Sequence, residues 1–276
     1  VRLRSLDLVF GELDFFLKNR VKQVKFVDRT FNCNHDHAYK IWKYIKEHDN
    51  GVTNFHFEIG GDLLREEDFE LFKEFRPGLI QFEIGVQSTN LSTIEAIRRK
   101  MDLTELAEHV ARVRSGENIH QHLDLIAGLP HEDFASFHKS FNDVYRMRPD
   151  QFQLGFLKVL KGSYMEEVKE EYEIRYRSRP PYEVLTTKWL SYGDVLRLKR
   201  VEEMVEVHYN SFQFQATMLA LGSFYPDAFE MYEAMGDFYE KKGCFGLKHS
   251  RIARYEILWE FMCEAGLSEE VQGILR

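Results

Sequence analysis

The run Glu83-Ile84-Gly85-Val86-Gln87-Ser88, with Asn90 behind it and Arg99 twelve residues after Gln87, gathers a carboxylate, an amide, a hydroxyl and a guanidinium into one stretch. Two further carboxylates close apolar runs: Glu58 in NFHFEI (54–59) and Asp124 in HQHLDLIA (120–127). A carboxylate and a fork-shaped arginine can hold both ends of a zwitterionic amino-acid head, the guanidinium giving two parallel hydrogen bonds. Sugar hydroxyls favour a carboxylate acceptor, as in dinucleotide-binding folds. Gly85 lets backbone approach a ligand, and Gln87 and Ser88 fall where a barrel strand would end, the place at which barrels keep their ligands.

These residues need elements to position them, and the pattern around them is regular. Strand-like apolar runs occupy 23–28 (QVKFVD), 54–59, 79–84 (LIQFEI), 120–127 and 151–157 (QFQLGFL). Between them, 36–48, 66–75, 92–114 and 132–146 carry apolar residues at three- and four-residue spacing, which predicts amphipathic helices. Such alternation means parallel strands joined by right-handed crossovers. Asn34 or Asp36 can cap the first crossover helix, and Asp102 or Thr104 can start the second half of 92–114. Pro77-Gly78 and Gly128-Leu129-Pro130 punctuate the ends of elements. The amphipathic run 6–18 is either a crossover helix whose own strand lies upstream or an extra N-terminal helix.

The chain has 276 residues, enough for one large domain with an appendage. The βα rhythm ends near Leu160, so we expect a partial barrel over 1–165 and a mainly helical domain over 166–276. Within the latter, 166–171, 190–209 and 229–242 read as helical, and 175–182 as a loop broken by Pro180-Pro181. The net charge of −8 is dispersed, and Arg98-Arg99-Lys100 is the one basic triplet before the arginines at 175, 177 and 179, so no nucleic-acid stripe is expected. No apolar run approaches a membrane span and no signal-peptide pattern opens the chain, which makes the cytoplasm the expected location. Three widely spaced cysteines, Cys33, Cys244 and Cys263, suit reduced thiols.

With the strand ends in view, the chain resembles the core of a radical-SAM enzyme. It is most similar to the cobalamin-associated branch and its relatives among the oxygen-independent coproporphyrinogen oxidases. In that resemblance Glu58 stands where an acid binds the amino group of S-adenosylmethionine. Gln87 and Ser88 lie in a G-V-Q-S-x-N pattern whose glutamine meets the nucleoside. Arg99 matches an arginine that pairs with the methionine carboxylate, and Asp124, in LDLIAGLP, an acid that binds the ribose hydroxyls. The stretch 25–32 (KFVDRTFN) resembles a strand end facing the cofactor pocket, which makes Asp28 and Asn32 candidate pocket residues. The stretch 157–163 (LKVLKGS) resembles a strand end that packs the adenine. The region from Ser163 on, including PPYEVL (180–185), resembles the segment C-terminal to the barrel in one subgroup of the cobalamin-associated branch. The implied fold is α/β, a partial (β/α)6 TIM-like barrel lacking its first strand, followed by a mainly helical region.

The departure from the family matters equally. Its defining C-x-x-x-C-x-x-C loop, whose thiolates hold a 4Fe-4S cluster, is not in this sequence. We expect the cluster ligands and a cobalamin-binding domain upstream, and this chain alone to be inactive. The intact protein would cleave S-adenosylmethionine to a 5′-deoxyadenosyl radical for hydrogen abstraction or methyl transfer on a small-molecule substrate. The alternatives are a cluster-less (β/α) binding or scaffolding module, or an unrelated barrel enzyme. The latter would carry a phosphate-binding glycine loop after a late strand.

Other features invite chemistry and are discounted. Cys33, His35 and His37 include metal-ligating types but lack a second pair. His120 and His122 share one strand face, turned either inward or outward. Cys244 has no base near it in sequence, and the aromatic stripe from Phe212 to Tyr239 reads as core.

Overall fold

The computed structural model describes residues 2–267, which sort into two compact units. The first holds residues up to Leu125 together with Arg146–Gln151. Helix α1 (Leu6–Lys18) leads into strand β1 (Gln23–Lys25), α2 (His35–Glu47), β2 (Asn54–Ile59) and α3 (Glu66–Phe72). Then come β3 (Ile80–Gln87), α4 (Leu91–Ala96), α5 (Leu103–Ser115) and β4 (His120–Ala127). Strands β1 to β4 pair in parallel in chain order, and β5 (Gln151–Phe156) follows them in the sequence. The α/β alternation expected from the periodicity is therefore present.

Period-two alternation gives this sheet two unlike faces. Phe55, Phe57, Ile59, Ile80, Phe82, Ile84, Val86, Leu123 and Leu125 are buried on one face. Trp42 of α2 meets Phe57 and Phe82 there, at ring-centroid distances of 6.2 and 5.8 Å. Gln121 shares that face, and its buried amide donates to the Val110 carbonyl of α5 at 3.1 Å. The other face carries Lys25 opposite His56, then Glu58, Glu83 and His122 in line, then Gly85 opposite Asp124.

Two helix starts form as their sequences demand. Asn34 accepts from His37 N and caps α2, and Asp102 accepts from Thr104 N and Glu105 N and caps α5. Other boundaries differ from the expected ones. β1 stops at Lys25, because the chain leaves the sheet after Phe26, whose ring stacks on Phe57. The stretch 92–114 is two helices, broken where Arg98 takes a positive φ of 57°. β3 extends to Gln87 through an irregularity between Gly85 and Gln87, where its register against β4 shifts.

The second unit holds Ile126–Tyr145 and the chain from Phe152 on. It contains α6 (Phe134–Arg146) up to Tyr145, a short α7 (Tyr164–Glu167), β6 (Arg175–Tyr176) and β7 (Val184–Thr186). After these come α8 (Tyr192–Val205), α9 (Gln215–Leu221), α10 (Ala228–Lys241) and α11 (Arg251–Glu264). The expected helix 166–171 gives way to α7, and the expected loop 175–182 contains one strand of an antiparallel pair. Backbone bonds from Val184 N to Leu157 O and from Val159 N to Tyr182 O hold that pair's second strand, a pairing that local propensity does not reveal. Helix α8 ends in a π-helical turn, Glu206–Asn210. The aromatic stripe is mainly core, with Phe214, Phe229, Tyr232, Phe238 and Tyr239 buried and Phe212 exposed. No helix among the described residues is long and apolar enough to cross a membrane.

Candidate functional site

On the polar face of the sheet, a small cleft of about 90 Å³ is lined by Arg29, Glu58, Ile59, Glu83, Gly85, Gln87, Arg99 and Asp124. Four residues singled out in the sequence thus meet: Glu58 from β2, Gln87 from the end of β3, Arg99 from the turn after α4, and Asp124 from β4.

Gly85 is the pivot of this arrangement. A Cβ there would lie 2.7 Å from Gln87 Nε2 and 3.4 Å from both Arg99 Nη1 and Asp124 Oδ1, so the glycine leaves room for the three side chains to converge and any side chain would displace the Gln87 amide. Arg99 donates to the Gly85 carbonyl. The irregularity turns Val86 N–H onto Asp124 Oδ1 at 3.0 Å, and Gln87 Nε2 reaches Asp124 Oδ2 at 3.2 Å. Gln87 itself has a φ of 69°, a left-handed conformation costly for a side chain of this type. The hydrogen bond to Asp124 holds it there.

The electrostatics are tuned by burial and by neighbours. Burial pushes the Asp124 carboxyl up to about 6, opposed by the Arg99 charge, the Val86 N–H and Gln87, and reinforced by Glu83. Burial also pulls the Arg99 guanidinium below its usual value, with Asp124 and Asp62 working the other way. Glu58 and Glu83 lie directly opposite on adjacent strands, an arrangement that is repulsive unless a cation joins it. Lys25 is that cation, with Nζ 2.9 Å from Glu83 and 3.5 Å from Glu58. Burial alone would raise Glu83, yet the Lys25 hydrogen bond and charge, with His122 and His56, bring it below the usual carboxylate range. His56 Nε2 lies 3.0 Å from Glu83, close but poorly directed for a hydrogen bond. Its burial lowers the imidazole's pKa, as does Lys25.

The remaining expected site residues lie elsewhere. Ser88 is buried, and its Oγ accepts from Asn90 N in the turn before α4. Asn32 is buried too, its amide exchanging two 2.9 Å hydrogen bonds with the Gly60 backbone, which anchors the loop after β2. Asp28 lines a different cavity of about 350 Å³, beside Leu13, Phe16, Val24 and Phe31.

Glu83, Lys25, Arg29 and His56 carry no assignment from the sequence. The signal for Glu83 is nonetheless present there, since β2 and β3 both read Phe-Glu-Ile, and the fold sets the two glutamates opposite each other. His120 and His122 fall on the polar face, opposite Gln81 and Glu83, which resolves their direction. His35 bonds to Asp68 at 3.0 Å. Among the described residues the cysteines are free, and the one metal-suited group is His138, Asp227 and Glu230.

Comparison with known proteins adds the lineage. The curated relative HemZ of Bacillus subtilis (strain 168), an oxygen-independent coproporphyrinogen-III oxidase-like protein, is 28% identical over 179 residues, 52% of this chain and 35% of that protein. The structure of TsrM from Kitasatospora setae, a radical S-adenosylmethionine methyltransferase with cobalamin and a 4Fe-4S cluster bound, superposes with a TM-score of 0.55 at 13% identity. That match covers 65% of this chain and 35% of TsrM. A second TsrM structure, with tryptophan substrate and the SAM analogue aza-SAM, gives the same score and covers 36% of that chain. At such identity the likeness is one of fold. The chain spans about a third of the length of these relatives. Residues 170–276 match the family described as Protein of unknown function (DUF4080). Residues 1–144, the stretch containing every residue of the cleft, match the Radical SAM superfamily, and to that superfamily this chain belongs.

Proposed function

We propose that the cleft is the S-adenosylmethionine half-site of a radical-SAM enzyme. The observation that carries this reading is the convergence of Glu58, Gln87, Arg99 and Asp124 around Gly85. The donor set suits the cofactor. Glu58 would accept the ammonium. The Arg99 guanidinium, with five N–H donors and one directed at Gly85, retains others for a carboxylate. Asp124 would accept from ribose hydroxyls and Gln87 would meet the nucleoside.

An iron–sulfur cluster does not fit this chain's own residues, because Cys33, Cys244 and Cys263 join no metal-suited group among those described. We therefore place the cluster ligands upstream. The outer edge of β1, which pairs with β2 on its other side, suits a further strand from there. Bound beside a cluster held by upstream residues, the cofactor would supply the radical chemistry for hydrogen abstraction or methyl transfer. This chain's part is to hold the head group and ribose in fixed orientation. The proposal extends to an upstream cobalamin-binding domain, a small-molecule substrate and a cytoplasmic location.

The test uses the intact protein purified without oxygen, with iron and sulfide counted and S-adenosylmethionine added under reducing conditions. Iron together with released 5′-deoxyadenosine is the expected result. Neither iron nor cleavage, in a protein without an upstream cysteine triad, would leave a cluster-less binding module instead.

A further inference from the structure

Glu58 and Glu83 are cross-strand partners, yet the structure treats them unequally. Glu83 takes the Lys25 ammonium at 2.9 Å and has His56 Nε2 at 3.0 Å, whereas the ion pair of Glu58 among the described residues is the longer 3.5 Å approach of the same lysine. Glu58 is also the more exposed of the two, at 36% against 25%. We propose that Glu83 is a positioning residue which, by engaging Lys25, keeps Glu58 open for an ammonium-bearing ligand. This inference rests on the reading of Glu58 as the acceptor of the cofactor's ammonium.

Charge and reach together give Glu83 this role. Two carboxylates face one ammonium, and His56 is buried and biased toward its neutral form. Lys25 can pair closely with one carboxylate at a time, and it lies nearer Glu83 than Glu58. A ligand ammonium arriving at Glu58 gives that carboxylate its own partner. With Glu83 neutralised, Lys25 loses the nearer of its two partners. Lysine is a point charge on a flexible four-carbon stem, and Glu58 would be the only carboxylate it contacts among the described residues. Lys25 would then close on Glu58 and compete with the ligand for it. No other element needs to move.

The experiment measures dissociation constants on the intact, reconstituted protein for S-adenosylhomocysteine, which carries the ammonium and carboxylate but no sulfonium to cleave. Glu83→Gln is expected to weaken binding about three- to fivefold, the scale of a partly exposed ion pair. Adding Lys25→Met to Glu83→Gln is expected to restore the affinity to within about twofold of Lys25→Met alone, on the same scale. A purely structural role for Glu83 would show no such rescue. Binding of 5′-methylthioadenosine, which has no amino-acid head, is expected to be unchanged in Glu83→Gln and so to report an intact fold. Unchanged S-adenosylhomocysteine affinity in Glu83→Gln, or a loss that Lys25→Met fails to rescue, would overturn the inference. Glu58→Gln separates it from the reading beneath. If that change leaves affinity intact, Glu58 is not the ammonium acceptor and both fall. If it weakens binding while Glu83→Gln does not, only the inference falls.

Discussion

The two faces of the sheet share one backbone and one register, yet they use them for opposite ends. On the helix side, Phe55, Phe57, Ile80, Phe82, Ile84, Leu123 and Leu125 are at most 1% exposed. Burial of such side chains stabilises by about 1.5–3 kcal/mol each. On the other side, Lys25, His56, Glu58, Glu83, His122 and Asp124 stand at the same strand spacing, and little of their arrangement favours folding by itself. Glu58 and Glu83 stand opposite each other and need Lys25 beside them, and the Asp124 carboxyl is disfavoured in its charged form by burial. The apolar face supplies the rigidity against which the polar face can hold charges at close, fixed distances. Stability and site chemistry are thus divided between even and odd positions of the same strands.

That division can be broken from either side. The largest expected effect comes from Phe82→Ala, which removes a ring packed against Trp42 and Phe72 and should lower unfolding free energy by about 3–5 kcal/mol in a urea titration. An equal loss from a polar-face substitution would mean that both faces carry the fold's stability.

Next in size is the pH dependence of Asp124. Its folded pKa of about 6 lies above the unfolded value, so the folded chain binds the extra proton between roughly pH 4 and pH 6. The carboxylate's contribution is neutral below that window and destabilising above it. Asp124→Asn is therefore expected to raise stability at pH 7 by about 2 kcal/mol and to leave it unchanged near pH 4. Denaturant midpoints across pH check this, and an advantage that grew toward acid would reverse the sign.

Gly85→Ala acts where the cleft side chains converge. The added methyl meets Gln87 Nε2 at 2.7 Å, the end of a flexible side chain, so the expected stability loss is about 1 kcal/mol. S-adenosylhomocysteine affinity should fall by about tenfold or more, as displaced donors lose their geometry. The smallest expected effect on stability is that of Glu58→Gln, within about 0.5 kcal/mol, although the same change should weaken the ligand measurably. Calorimetric Tm beside a binding isotherm separates these two quantities.

Much of this is legible in the sequence, because strand faces follow from period-two alternation alone. FHFEI, FEIGV and HLDLI announce which residues turn toward helices and which do not. Glycine at position 85 and the polar residues at strand ends mark the cleft before any distance is known. The caps on α2 and α5 are equally local, each an Asn or Asp bonding to backbone within three residues. Ser88 and Asn32 show what local reading leaves open. Both are polar and near a strand end, but neighbouring backbone satisfies them, and only the folded path shows which neighbour that is.

Periodicity and side-chain chemistry, both local, dictate the βα order, the two faces of each strand and the residue types at the strand ends. Only the tertiary structure could set the register that brings Glu58 opposite Glu83 and the irregularity that turns Val86 N–H onto Asp124. It alone reveals the reach of Lys25 to a carboxylate 58 residues away. The same is true of the strand pair around residues 175–186. Those features arise from pairing between distant segments, whose cost and geometry no local pattern encodes.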